Sequence, residues 1–118
     1  MQILVVDDDP LAAEMIAAVL DAEGNQVVLA ASAPEGMEML NKHPDIGLII
    51  SDMNMPLVSG IEFFQELREQ GSQLPFVLLT GDDPDKALQK EPRLDASVLK
   101  DFNLDESLPR VLDQLFNA

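Results

Sequence analysis

Five short apolar runs alternate along this chain with longer stretches whose apolar residues recur at helical spacing. The runs occupy residues 3–6, 27–29, 46–50, 76–79 and 98–99. Unbroken apolar runs of this length are typical of strands that are buried on both faces of a sheet. Strands that alternate with helices indicate a parallel, doubly wound sheet, and right-handed crossovers then place helices on both of its faces. The sequence therefore predicts an α/β fold in which three layers surround a five-stranded parallel sheet.

Length and composition limit the classes of protein to which the chain can belong. Its 118 residues suit one domain spanning 1–118. The 22 acidic side chains outnumber the 7 basic ones, and the net charge of −15 argues against nucleic-acid binding. The lack of cysteine excludes disulfides and thiolate metal sites. No apolar run approaches the ~18 residues of a membrane span, so we expect a cytoplasmic protein without membrane insertion.

Local patterns mark the ends of several helices. Ser59 with Glu62 forms a capping-box pattern at the start of the third helix. The fourth helix is short and polar and must stop before Pro92. In the last helix, Pro109 lies inside the apolar pattern if Asn103 is the cap, so we expect that helix to be kinked or to start late.

Polar and charged residues follow the predicted strands at the point where each strand ends. In an open parallel sheet, ligands bind beyond the carboxyl ends of the strands, so these positions are candidates for a functional site. The fold type implies that the first, third, fourth and fifth strands are neighbours, and their terminal side chains would then meet at one edge. These residues are Asp7, Asp8, Asp9, Asp52, Thr80 and Lys100.

The chemistry of this set favours a divalent cation and a phosphoryl group. Carboxylates within ~5 Å repel one another by a few kcal/mol per pair, so the cluster requires either proton sharing or a cation. Oxygen donors without histidine or cysteine favour a hard ion, and an open cluster favours Mg²⁺ over Ca²⁺. The Lys100 ammonium and the Thr80 hydroxyl suit the charged oxygens of a phosphoryl group. Asp52 could attack phosphorus and carry the group as an acyl phosphate.

Four segments that contain these residues resemble the response-regulator receiver domains of two-component signalling, the family that includes CheY. The segments are residues 3–10, residues 49–56 together with Gly60, residues 78–81 and residues 98–100. The resemblance covers essentially the whole chain. It implies a flavodoxin-like sheet of order 2-1-3-4-5 and phosphorylation of Asp52 by the phosphohistidine of a sensor histidine kinase or a histidine phosphotransfer protein. It also implies a switch that acts on a downstream protein target, and not a turnover enzyme.

The resemblance further implies a metal site for Mg²⁺, or Mn²⁺ in its place. Asp8 is expected to bind the ion directly, and Asp7 through a water molecule. Asp52 and the backbone carbonyl of Asn54 complete the expected protein ligands.

Contacts to the phosphoryl group are implied in the same way. Thr80, Lys100 and the backbone N–H of Gly81 would hold its oxygens. Asn54 and Asp82 occupy positions that, in the family, tune how long the phosphate survives.

The chain departs from the family pattern near its C-terminal end. The family usually has a cis proline after the lysine, whereas Asp101 follows Lys100 here. Because a cis bond without proline costs about 2.5–4 kcal/mol, we expect a trans bond and a displaced loop. Asp101 also adds a negative charge, so we expect either weaker phosphoryl retention or a pocket that is oriented away from it. Ser97 replaces the aromatic residue whose rotation reports phosphorylation in the family, so the relay to a partner is expected to be altered.

Other interpretations of the same residues remain open at this point. Asp9 directly precedes Pro10, and its role as a helix N-cap is favoured over metal binding. Asp7 and Asp9 could instead form the acidic pair of a haloacid-dehalogenase-type phosphohydrolase. That hypothesis leaves Asp52 unexplained. A third hypothesis is a pseudo-receiver that binds its partner without phosphorylation.

Overall fold

The computed structural model describes residues 1–117, which form a five-stranded sheet covered by helices on both faces. Its strands are β1 (Gln2–Val6), β2 (Gln26–Ala30), β3 (Ile46–Asp52), β4 (Phe76–Thr80) and β5 (Ala96–Leu99). All neighbouring strands are parallel, and their order is β2-β1-β3-β4-β5. The predicted fold class and strand order are confirmed.

Helices follow the strands in alternation. They are α1 (Pro10–Ala22), α2 (Ala33–Lys42), α3 (Gly60–Glu69), α4 (Pro84–Lys90) and α5 (Leu104–Phe116). The predicted capping box opens α3, because the Ser59 hydroxyl accepts from the N–H of Glu62 and the Glu62 carboxylate accepts from the N–H of Ser59. The last residue of α4 is Lys90, so this helix stops before Pro92 as predicted.

Two apolar clusters hold the helices against the sheet. Successive residues of a strand point to opposite faces, so Leu4 of β1 packs under α2, α3 and α4 while Val5 packs under α1 and α5. The first cluster contains Phe63, Phe64 and Phe76, all fully buried. Apolar side chains therefore cover most of both faces of the sheet, and the buried Asp7, Asp52 and Thr80 lie at or just after the carboxyl ends of their strands.

The last helix does not start late, which was one of the two alternatives expected from Pro109. α5 starts at Leu104, five residues before Pro109, so the late start is wrong. Leu104 and Leu108 are buried in the cluster shared with α1, and this packing stabilises the first turn of α5 despite the hydrogen bond that Pro109 cannot donate. Asn103 is the N-cap residue by position, but its side chain makes no capping hydrogen bond.

No helix described within residues 1–117 combines the length and the apolar character that a membrane crossing requires.

Candidate functional site

Three of the four acidic residues predicted to converge, Asp7, Asp8 and Asp52, do so at the carboxyl ends of β1 and β3. Asp7 follows β1 directly, and Asp52 is the last residue of β3. β1 and β3 are adjacent and parallel, with Val6 opposite Ser51, which places the two carboxylates side by side. Carboxylate oxygens of Asp7, Asp8 and Asp52 all lie within 4.8 Å of one another. The predicted convergence of these three residues is confirmed.

The three carboxylates differ in exposure. Asp7 and Asp52 are buried, with 3% and 6% of their surface exposed, whereas Asp8 is exposed. The Asp7 carboxylate accepts a hydrogen bond of 2.9 Å from the backbone N–H of Asp9. The site therefore has a buried floor and an open side at Asp8, through which an ion or a substrate can enter.

Lys100 brings the only ammonium that pairs with the buried acids in the described part of the chain. Its Nζ donates to Asp7 Oδ2 at 2.7 Å and lies 3.5 Å from Asp52 Oδ2. The Lys100–Asp101 bond is trans, as predicted, since residues 1–117 contain no cis peptide bond. Whatever the path of the loop after β5, the side chain reaches the acids, so a displacement of the loop does not remove Lys100 from the site.

Electrostatics at the site follow from burial and from these pairs. Burial raises the pKa of Asp52 above its ordinary 3.8; the Lys100 charge opposes this rise, and the negative charge of Asp7 adds to it. Burial lowers the pKa of Lys100, but its hydrogen bond to Asp7 and the charge of Asp52 prevail, so the net shift is upward. Lys100 is therefore a permanent cation in the site, beside a carboxylate that binds a proton more readily than an ordinary aspartate does.

Thr80 lies at the same edge, one strand further along. It is the last residue of β4 and is 5% exposed, and its hydroxyl accepts a hydrogen bond of 3.1 Å from the N–H of Asp82. Gly81 and Asp82 follow in an exposed turn. The hydrogen of the Thr80 hydroxyl is left for donation to a group that enters the site.

A small hollow extends from the strand ends toward α4. Its volume is about 190 Å³. The residues that line it include Asn54, Thr80, Asp82 and Lys86. Asn54 and Asp82, predicted to affect a bound phosphate, are thus both exposed next to Thr80, on the side of the sheet that α4 covers.

A glycine whose role the sequence did not reveal supports the site from behind. A Cβ built on Gly60 would overlap the backbone carbonyl oxygen of Asp52 and the Cδ1 atom of Leu78. The N–H of Gly60 also donates to the carbonyl of Met53 at 2.9 Å. Only glycine lets α3 begin this close to β3, so Gly60 fixes the backbone on which Asp52 is carried.

Asp9 is separate from the acidic cluster in its role. Its exposed carboxylate accepts a hydrogen bond of 3.1 Å from the N–H of Leu11, and Pro10 is the first residue of α1. The favoured interpretation of Asp9 as an N-cap is confirmed. The backbone N–H of Asp9 donates a hydrogen bond to the Asp7 carboxylate, and no sequence pattern indicates this contact.

Two further departures from the family pattern have structural counterparts. The Oγ atom of Ser97 is buried and has no hydrogen-bond partner in the described part of the chain. The Asp101 carboxylate accepts a hydrogen bond from the backbone N–H of Asn103, at the N-terminal end of α5. It is therefore engaged by the turn that leads into α5.

Sequence relatives of the chain are response regulators. Response regulator Rre1 of Synechocystis sp. is 39% identical over 111 residues, which are 90% of this chain and 48% of the relative. The CpxR homolog of Haemophilus influenzae is 34% identical over 112 residues, 93% of this chain and 48% of the relative. The chain thus spans about half the length of these curated relatives.

Solved structures of the same fold are receivers as well. Response regulator TrrA from Thermotoga maritima, solved in complex with Mg²⁺-BeF, is 29% identical with a TM-score of 0.86, covering 98% of both chains. The chemotaxis protein CheY4 of Vibrio cholerae is also 29% identical, with a TM-score of 0.84 and the same coverage. A family model described as the response regulator receiver domain matches residues 3–111. With the strand order and the acidic edge already in place, the chain belongs to the response regulator receiver domain family of two-component signalling.

Proposed function

We propose that Asp52 of this chain accepts a phosphoryl group from the phosphohistidine of a histidine kinase or a histidine phosphotransfer protein. The observation that carries the proposal is the position of Asp52. Its carboxylate lies within 4.8 Å of oxygens of Asp7 and Asp8 and 3.5 Å from the Lys100 ammonium. Asp52 is buried, burial raises its pKa, and the Lys100 ammonium beside it stabilises its anionic form; a perturbed carboxylate of this kind is typical of a functional site.

The donor set fits Mg²⁺, with Mn²⁺ as a substitute. Asp7, Asp8 and Asp52 offer oxygen donors only, and one of the three is exposed, so an ion could keep several of its water molecules. The backbone carbonyl of Asn54 is our fourth protein ligand. When bound, Mg²⁺ would neutralise charge on the carboxylates and on the phosphoryl oxygens. Comparison with TrrA, whose crystal structure contains Mg²⁺-BeF, supports this assignment.

The transfer step needs one bond to form and one to break. An oxygen of the Asp52 carboxylate attacks phosphorus while the P–N bond to the donor imidazole breaks. The bonding electron pair remains on the imidazole nitrogen, which takes a proton from solvent and leaves as neutral histidine. Asp52 must be deprotonated to attack, and the ammonium of Lys100, 3.5 Å away, favours that form despite the burial.

We assign three groups of the chain to hold the transferred oxygens. Lys100 already lies between Asp7 and Asp52, so a small movement of its ammonium suffices to reach a phosphoryl oxygen on Asp52. The Thr80 hydroxyl can donate to a second oxygen while it still accepts from the N–H of Asp82. Gly81 follows Thr80 in the same turn, and we propose that its backbone N–H donates to the third phosphoryl oxygen. Movement of Thr80 would pull on the turn that leads into α4, which is how the modification alters a partner surface.

The phosphoryl group leaves by attack of water on phosphorus, which regenerates the Asp52 carboxylate. Asn54 and Asp82 line the hollow beside Thr80, so their side chains control the access of that water. Each phosphoryl transfer modifies Asp52 of the chain itself and no separate substrate. The protein is therefore a switch that passes its state to a downstream protein and does not turn over a substrate.

The competing hypotheses have less support. A haloacid-dehalogenase-type phosphohydrolase needs Asp7 and Asp9 to act together, yet the Asp9 carboxylate is exposed and caps α1. A pseudo-receiver would retain the geometry without the reaction. Only a labelling experiment separates that hypothesis from ours.

The test is labelling of the 118-residue chain by acetyl phosphate, with and without Mg²⁺, followed by intact-protein mass spectrometry. We expect Mg²⁺-dependent addition of one phosphoryl group to the wild type and to Asp21→Asn, an exposed control on α1, and none to Asp52→Asn. Labelling of Asp52→Asn at the wild-type level would overturn the assignment. Absence of labelling in a folded wild type would favour the pseudo-receiver.

A further inference from the structure

The turn that follows Lys100 has an unusual closure. The backbone N–H of Lys100 donates to the carbonyl of Thr80 at 2.7 Å, which continues the β4–β5 ladder. One residue later the chain reverses, and the Asp101 carboxylate accepts a hydrogen bond of 2.9 Å from the N–H of Asn103. A carboxylate that binds a backbone N–H two residues ahead forms an Asx turn, which imitates a backbone turn. Lys100 is thus held on one side by the sheet and on the other by this turn.

Within the described residues, the Asp101 carboxylate is the side chain that shapes the turn. Phe102 is fully exposed and contributes no packing, and the side chain of Asn103 makes no capping hydrogen bond. The backbone bond from the Leu104 N–H to the Asp101 carbonyl is long, at 3.4 Å. Leu104 itself is buried and starts α5, so the turn must bring the chain from the site to that anchor within three residues.

The direction of the carboxylate explains how an acid can follow the lysine. Asp101 and Phe102 line a hollow of about 300 Å³ between α1 and α5, whereas Thr80 lines the hollow under α4 on the other face. The negative charge of Asp101 is also placed at the N-terminal end of α5, where the helix dipole favours it. It is therefore directed away from the oxygens that a phosphoryl group on Asp52 would carry.

We propose that Asp101 is a positioning residue for Lys100, and that its Asx turn replaces the proline which receivers usually carry at this place. The inference rests on the proposed phosphorylation of Asp52. Without the Asp101–Asn103 bond, the backbone after Lys100 is free to reorient, and the ammonium spends less time between Asp7 and Asp52. Because misplacement of a reacting group by about 1 Å can cost 10²-fold in rate, a loosened Lys100 slows the transfer.

Two substitutions separate the turn from the charge. Asp101→Ala removes both, whereas Asp101→Asn removes the charge but keeps a side-chain oxygen that can accept from Asn103. We expect acetyl phosphate to label Asp101→Ala about tenfold more slowly than wild type, and Asp101→Asn within about twofold of wild type. Ser72→Ala is the matched control, since it removes a side-chain hydrogen bond from the backbone N–H of Leu74 in the segment before β4, at the opposite end of the strands, and should leave the labelling rate unchanged.

The affinity for Mg²⁺ distinguishes a positioning role from a loss of stability, because the two predict changes of opposite direction. An ammonium near the carboxylates opposes a cation, so Asp101→Ala should bind Mg²⁺ more tightly than Asp101→Asn by a few-fold, measured by titration calorimetry. A merely structural role predicts weaker Mg²⁺ binding together with slower labelling. In a Lys100→Ala background, Asp101→Ala should cause no further loss of labelling.

Each outcome bears on one of the two proposals. Equal labelling of Asp101→Ala and Asp101→Asn, or a full tenfold loss that persists in the Lys100→Ala background, would overturn the positioning role. If the folded wild type is not labelled at all, the proposed function fails. The difference in Mg²⁺ affinity between the two Asp101 variants would still test whether the turn positions the ammonium.

Discussion

Lys100 Nζ donates a hydrogen bond of 2.7 Å to Asp7 Oδ2, although the two residues lie 93 positions apart in the chain. The bond joins the carboxyl ends of β1 and β5, which are separated in the sheet by β3 and β4. The side chain of Lys100 therefore reaches across the edge to Asp7, and Asp52 Oδ2 lies 3.5 Å from the same nitrogen. One ammonium thus serves two buried carboxylates, and a phosphoryl group on Asp52 would compete with Asp7 for it.

The raised pKa of Asp52 predicts that this residue destabilises the fold at neutral pH. Burial is the main cause, so the folded state binds the Asp52 proton more tightly than the unfolded state does. Stability consequently falls as the pH rises from the ordinary value of 3.8 through the folded pKa, and the deficit persists above it. Asp52→Asn should therefore raise the free energy of unfolding at pH 7 by on the order of 1 kcal/mol, measured in urea without Mg²⁺.

The stability gained by Asp52→Asn should vanish near pH 3, where Asp52 of the wild type is protonated in both the folded and the unfolded state. Asp21→Asn, which changes an exposed carboxylate of α1, serves as the control and should change the free energy of unfolding by less than about 0.5 kcal/mol. An Asp52→Asn variant that is less stable than wild type at pH 7 would contradict the argument, because it would mean that the contacts to Lys100 outweigh the burial.

Close approach at Gly60 makes a second prediction. A methyl group there must displace the carbonyl of Asp52 or the side chain of Leu78, and overpacking of this kind costs about 1–3 kcal/mol. Gly60→Ala should lower the midpoint of urea unfolding accordingly. Gly47→Ala is the matched control, since a Cβ at Gly47 of β3 has no atom within 4 Å. Equal stability of the two variants would mean that α3 can move away from β3 without cost.

Much of the fold could be predicted because each apolar run is short, unbroken and followed by polar residues. Strand ends were the weak point: Asp52 and Thr80 are the last residues of β3 and β4, whereas the apolar pattern ended before them. Both side chains are buried although they are polar, and their burial depends on contacts with other strands. The late start of α5 failed for a similar reason, because packing of Leu104 against the core overrode the effect of Pro109.

Membership of the candidate site was predictable, but its internal pairing was not. Parallel strands bring Asp7, Asp52 and Lys100 to one edge, as the strand order requires. Which carboxylate takes the shorter bond to Lys100 depends on side-chain geometry, and the support of Asp52 by Gly60 depends on how closely the backbone of α3 approaches β3. Neither contact has a signature in the sequence.

Asp9 provides a test between the receiver and the phosphohydrolase hypotheses. Its carboxylate caps α1, so Asp9→Ala should cost about 1 kcal/mol of unfolding free energy, and Asp9→Ser should recover most of it. Because Asp9 is not assigned a role in the transfer, Asp9→Ser should be labelled by acetyl phosphate at the wild-type rate. Loss of labelling in a folded Asp9→Ser variant would revive the pairing of Asp7 with Asp9.

Glu91, at the C-terminal end of α4, forms a polar cluster remote from the acidic site. It is 4% exposed, and its carboxylate accepts two hydrogen bonds from the Arg93 guanidinium, at 2.7 and 2.9 Å, and one from Gln65 of α3 at 3.2 Å. The Arg93 hydrogen bonds are the main reason why the pKa of Glu91 falls from 4.5 to about 2. The Gln65 contact joins the end of α4 to α3. In the proposed function, movement of Thr80 would pull on the other end of α4.

A carboxylate whose pKa is lower in the folded state than in the unfolded state stabilises the fold at pH values above its ordinary pKa. The contribution of Glu91 is therefore complete above pH 4.5 and is lost as the pH falls toward about 2. Glu91→Gln should lower the free energy of unfolding at pH 7 by on the order of 1 kcal/mol, a modest amount because the Arg93 side chain is largely exposed. The gap to wild type should be narrower at pH 3 than at pH 7. Glu38→Gln, an exposed change on α2, should show a smaller and pH-independent effect; a gap for Glu91→Gln that widens in acid would show that the ion pair is not what anchors α4.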